Sequence, residues 1–113
     1  MLAAYVEWHM IMTKHVPKSI RYSLGVRIDS LFAELVAVIS GAQFAAKNER
    51  ATRLSNAITL NDTLKFMLYA LLELKGIDEK KFLFLSERMD EIGRMLYGWK
   101  QKSGEHPDQF TKR

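Results

Sequence analysis

Lysine and arginine fall in two short clusters whose spacing suits contact with an anion. Lys14, Lys18, Arg21 and Arg27 gather in and after a first connection. Lys47, Arg50 and Arg53 recur at steps of three near a second, with Lys65 further on. Steps of three or four put side chains on one helix face, and such cations can contact phosphates without reading bases. Aromatic residues do not alternate with these cations along the chain, so stacking on single-stranded bases is not indicated. The binding expected is largely electrostatic. The other reading is a solvated face partly paired with Asp29, Glu34 or Glu49.

Other chemistries lack their residues. A di-iron bundle needs Glu-x-x-His on two helices, and none of His9, His15 and His106 follows a glutamate by three. With no cysteine there is no thiol nucleophile, thiolate metal site or disulfide framework. Neither a Gly-x-Ser-x-Gly elbow nor a phosphate-cradling glycine loop occurs. Helical ribonucleases that place a histidine four to six residues after an arginine have no counterpart, since Arg21 is followed by Tyr22, Ser23, Leu24, Gly25, Val26 and Arg27. No enzyme activity, metal or cofactor is expected.

Helices must carry the basic clusters. Leu24, Ile28, Leu31, Leu35, Val38 and Ala42 step by four and three, as do Ala57, Leu60, Leu64, Met67, Leu71 and Leu74. Phe82, Leu85, Met89, Ile92, Leu96 and Trp99 form a third such stripe, and a shorter helix has Tyr5, Val6, His9 and Met12 on one side. Stripes of this period signal amphipathic helices. The spacing predicts helices at about 2–14, 17–46, 49–75 and 79–103. Pro17 opens the second, and Asn48 is expected to cap the third. Gly76 is expected to end the third in the left-handed conformation. Asp78 is expected to cap the fourth, with Ile77 and Phe82 as a hydrophobic staple. Short connections imply an all-α, antiparallel up-down four-helix bundle over residues 1–104, with a polar tail at 105–113. No hairpin signal or period-two run supports strands.

A chain of 113 residues is long enough for one core but not for two. Its charge is +4, with a pI near 9.4. Residues 1–56 hold seven Lys/Arg against four Asp/Glu, so the excess lies in the first half and suggests an anionic partner such as nucleic acid. The stretch MLAAYVEWHMIMTK carries Glu7 and His9 among its apolar residues and does not read as a signal peptide. No apolar run approaches a membrane span. A cytoplasmic protein is expected.

Residues 31–46, LFAELVAVISGAQFAA, are apolar nearly all round. Such a helix must be covered nearly all round, either by its neighbours within the chain or by another subunit. Phe32, Val36, Ile39 and Gly41 are the residues expected at an oligomer interface. Gly25 costs roughly 1 kcal/mol relative to alanine within a helix. It is expected to let the second helix approach a neighbour closely, near Gly93 or Gly98.

Two motifs carry a family resemblance. "PKSIRYSLGVRID" (residues 17–29) presents Pro17, Lys18, Arg21, Leu24, Gly25, Arg27 and Ile28. "EIGRMLYGWK" (residues 91–100) presents Glu91, Ile92, Gly93, Arg94, Leu96, Gly98, Trp99 and Lys100. In order and spacing these resemble the Avd family, the accessory variability determinants of diversity-generating retroelements. The resemblance spans about residues 5–102, and Tyr97 departs from it where many relatives have a small residue. It implies a homopentameric basic barrel with a central pore. Such a barrel binds a reverse transcriptase and its template RNA, supporting error-prone, adenine-directed cDNA synthesis without being catalytic. On that resemblance Lys18, Arg21, Arg27, Arg50, Arg53 and Lys65 are the candidate contacts. A sister family, the four-helix-bundle proteins encoded in rRNA intervening sequences, is the alternative. Its proline-containing Asn-Ile-Ala-Glu-Gly stretch is missing from the second helix here.

Overall fold

Three heptad-spaced apolar stripes and a shorter first segment become four helices in the computed structural model, which describes residues 2–104. The expected tail, 105–113, lies outside the described residues. Helix α1 is Leu2–His15. Helix α2 covers residues 18–44 as Lys18–Ile20, a wider π turn at Arg21–Gly25, and Val26–Phe44. Helix α3 is Lys47–Glu73, and α4 is Glu79–Gly104. No strand occurs among the described residues. The described molecule is elongated, 54 × 22 × 19 Å.

α3 packs against both α2 and α4, whereas α1 packs on α2 and α4 and its backbone does not approach α3. The core takes Ile28, Leu31, Leu35 and Ala42 from α2, with Leu54, Ala57, Leu64, Leu68 and Leu71 from α3. Leu85, Met89, Ile92 and Leu96 come from α4. Leu74, expected to close the α3 stripe, is 59% exposed because the helix has already ended.

The inward face of α1 is rotated from the expected one. Ala4, Trp8 and Met12 are buried, while Val6 and His9 are exposed. Trp8 is wholly enclosed and lies against Phe32 at 6.1 Å between rings, with Tyr5 stacked on the same ring at 5.7 Å. The Trp8 indole N–H donates to Asp29 Oδ1 at 3.2 Å. Burial raises the Tyr5 hydroxyl pKa, and the Asp29 carboxylate pushes it the same way. On α4, Arg88 lies between Glu7 of α1 and Glu91, each at 3.9 Å.

Two glycine expectations need correction. Gly25 faces α1: a Cβ there would meet Met12 Cγ at 3.5 Å, and neither Gly93 nor Gly98 is near it. In the π turn both Gly25 and Leu24 turn inward, Gly25 buried and Leu24 half-buried. Gly76 does not adopt the left-handed conformation; Lys75 does, with φ of 64°. Lys75 N–H donates to the Leu72 carbonyl and Gly76 N–H to the Leu71 carbonyl, which together make a Schellman closure. Space favours glycine at 76 instead, since a Cβ there would press on the buried Leu71 side chain.

Helix ends account for other differences. Asn48 lies inside α3 and caps nothing, because the N-cap position is Ala46, without a side-chain bond. Asp78 does cap α4: its Oδ1 accepts the Lys81 N–H at 2.8 Å, beside a buried Ile77 and a half-buried Phe82.

Removal of the indole tests how α1 is held. Trp8→Ala is expected to cost about 3–5 kcal/mol in urea unfolding. Val6→Ala, on the exposed face, should stay within about 0.5 kcal/mol of the parent.

Candidate nucleic-acid interface

The structure divides the eight expected cations into two groups. Lys14, Lys18, Arg27 and Lys47 are exposed and form no ion pair among the described residues. The others have internal partners. Arg21 Nη2 donates to the Val16 carbonyl at 3.0 Å, just past the end of α1. Arg50 donates from Nε to the Ala42 carbonyl at 3.0 Å and from Nη2 to the Ala45 carbonyl at 3.1 Å, closing the end of α2. Cations there also complement the negative end of the helix dipole. Arg53 pairs with Glu49 at 3.6 Å, and Lys65 with Asp90 at 2.7 Å. Arg21 and Arg50 thus each have a structural role at a helix end beside the contact role expected of them.

The expected oligomer residues divide in the same way. Phe32 is fully buried under Tyr5 and Trp8, so it offers no surface to a second subunit. Val36 and Ile39 are half-buried, and Gly41 lies under the Arg53 guanidinium, 3.2 Å from where a Cβ would be. The apolar surplus of α2 is covered only in part. Ala33 and Ala37 face outward, and Phe44 is 83% exposed.

The first basic cluster gains members that sequence reasoning missed. The α1–α2 and α3–α4 connections meet in one cleft of about 550 Å³, lined by His15, Pro17, Lys75, Ile77, Asp78 and Lys81 among others. Lys14, Lys18 and Lys80, each next in sequence to a lining residue, are exposed. Glu73 and Glu79 lie beside the same turns, and lysines outnumber these acids. The signal was present as the run KGIDEKK at residues 75–81, but nothing local in it says that it meets the connection at His15 and Pro17.

Two backbone details set the cleft's electrostatics. A side chain in the left-handed region costs roughly 1–2 kcal/mol, and glycine is the usual residue at a helix end of this geometry. Lysine stands there instead and lines the cleft. Asp78 is held below the usual carboxylate range, first by the Lys81 N–H, then by the Lys81 ammonium at 3.1 Å and the nearby His15.

The described part of the chain is thus an all-helical protein with a lysine-rich cleft where two connections meet. Among the described residues no group of three His, Asp or Glu could hold a metal, and no helix is long and apolar enough to cross a membrane. Comparison with protein-family models, curated proteins and solved structures returned no match.

Two measurements test this geometry. Lys75→Gly is expected to raise the unfolding free energy by roughly 1 kcal/mol, by relieving the left-handed strain. Asp78 has a lowered folded pKa, so its stabilisation is present above the unfolded value near 3.9. It is lost as pH falls through the folded value. Asp78→Asn keeps a capping oxygen without a titrating group, so its melting temperature should fall less between about pH 5 and pH 2 than that of the parent.

Proposed function

We propose that this chain is a non-catalytic, nucleic-acid-binding accessory protein of the Avd kind, acting with a reverse transcriptase and its template RNA. The observation that carries the reading is the composite basic end. Exposed Lys14, Lys18 and Lys80 join Lys75 and Lys81, and Lys75 is retained in a conformation that favours glycine. Non-glycine residues kept in such regions recur at functional sites. Phosphate oxygens are the chemistry a cleft of lysines selects, and lysine binds them as a point charge.

The short links at residues 45–46 and 74–78, with α3 packed along both neighbours, support an antiparallel up-down bundle. Copies arranged as a homopentameric barrel would repeat the lysine cleft around a ring and turn a modest patch into a belt. Exposed apolar side chains on every helix, among them Val6, Phe44, Phe66 and Met95, support self-association. A cytoplasmic location goes with this reading.

One observation favours the alternative of a structural bundle related to the rRNA intervening-sequence proteins, with general nucleic-acid association. Arg21, Arg50, Arg53 and Lys65 all have intramolecular partners, which leaves fewer cations for a dedicated RNA surface. Co-purification from the native cell separates the two, since the first requires a reverse transcriptase in the recovered complex.

RNA binding by the purified chain tests the site. Replacing Lys14 and Lys18 by alanine and Lys75 by glycine should weaken binding to single-stranded RNA. Each phosphate neutralised on a single strand contributes about 0.7 to the log–log salt slope, so with three cations removed the slope should fall by about 2. Lys65→Ala should leave both affinity and slope unchanged. An unaltered slope in the triple variant would exclude the cleft as the RNA site.

A further inference from the structure

The lysine cleft also holds a histidine. The titratable groups that line it are His15 at the end of α1, Lys75 after α3, Asp78 before α4, and Lys81 in the first turn of α4. Lys81 Nζ lies 3.1 Å from Asp78 Oδ2, so these two charges largely offset one another. Lys75 forms no ion pair among the described residues. With His15 neutral the lining therefore carries a single net positive charge, that of Lys75. A proton on His15 doubles it.

The charges around it are of fixed kinds. Lys14, Lys18, Glu73, Glu79 and Lys80 are exposed and stand next in sequence to lining residues. Carboxylates and ammonium groups ordinarily titrate at about 4 and about 10, whereas an unperturbed histidine changes charge between about pH 5 and 8. Asp78 stays ionised throughout that range, held first by the Lys81 N–H and then by its ammonium, with His15 a lesser contributor. That contribution also puts the imidazole within electrostatic reach of the carboxylate. His9 faces Asp29 at 3.7 Å and does not line the cleft.

We propose that His15 is a proton switch for the cleft: its imidazolium joins Lys75 as a second uncompensated cation, so a phosphate-bearing strand is held more tightly as pH falls from about 8 to about 6. This rests on the phosphate-binding reading of the cleft given above and names the group that regulates it. One further cation engaged by a single strand adds about 0.7 to the log–log salt slope, worth about fivefold in affinity at 0.1 M salt.

The test uses the intact chain and a short oligouridylate with hydroxyl ends, an RNA whose own charge does not change in this range. Its binding is measured against salt at about pH 6 and about pH 8. The parent should bind about fivefold more tightly at the lower pH in 0.1 M salt, with a slope steeper by about 0.7. His15→Gln should bind at both pH values as the parent does at the higher one. His15→Lys should bind at both as the parent does at the lower one, a restoration that a merely structural histidine would not give. His9→Gln should keep the parent's pH dependence. Equal binding by the parent at both pH values would overturn the switch and leave the cleft as a phosphate site. A pH dependence that survives His15→Gln would overturn it in favour of another titrating group. A parent that binds at neither pH would overturn both the switch and the reading on which it rests.

Discussion

The seating of Trp8 between Phe32 and Asp29 is the contact on which the described molecule most depends. α1 has only 14 residues, a length at which an isolated helix is marginal in water. It touches α2 and α4 along one narrow line, Ala4, Trp8 and Met12, and only the indole is large enough to dominate that line. The hydrogen bond to Asp29 satisfies the one polar atom of the buried ring, and Phe32 supplies the flat surface beneath it. Met12 also lies against the π turn of α2, at ordinary van der Waals distance from where a Cβ on Gly25 would be. His15 reaches the α3–α4 connection only because this docking brings it there.

The cations follow a division of their own. Arginines near the connections hydrogen-bond backbone carbonyls at the ends of α1 and α2, a role the forked guanidinium suits. The exposed lysines around the cleft are left to solvent or to a ligand. A surface that reads as uniformly basic in sequence is thus two populations, one closing helices and one exposed. The lysine at position 75 joins both, ending α3 and lining the cleft in a conformation that glycine would adopt more cheaply.

Much of the architecture is legible in the heptad stripes, because buried leucines at steps of three and four admit only helices with one inward face. The α4 start is legible too, since Asp78 and Lys81 have the spacing of a cap. The face of α1 is not: the row Tyr5, Val6, His9 and Met12 and the true line Ala4, Trp8 and Met12 differ by fractions of a turn, and short helices give few residues to average over. Propensity assigns the left-handed residue to Gly76, whereas the demand of Leu71 for empty space has already claimed that glycine. Two of the basic candidates, Arg21 and Arg50, have internal partners that the sequence hides, because a carbonyl acceptor such as that of Val16 or Ala42 leaves no trace in charge pairing along the chain, whereas the Arg53–Glu49 pair is legible at its spacing of four. The cleft itself requires knowing that two distant connections meet, which is a tertiary fact.

Whether the lysine cleft receives RNA is decided most directly by hydrogen–deuterium exchange of the intact chain, with and without a single-stranded RNA oligonucleotide at low salt. RNA-dependent protection is expected in peptides covering residues 14–18 and 74–81 together, with no change across 47–53. Protection confined to 47–53, or none in either connection, would contradict the assignment of the cleft.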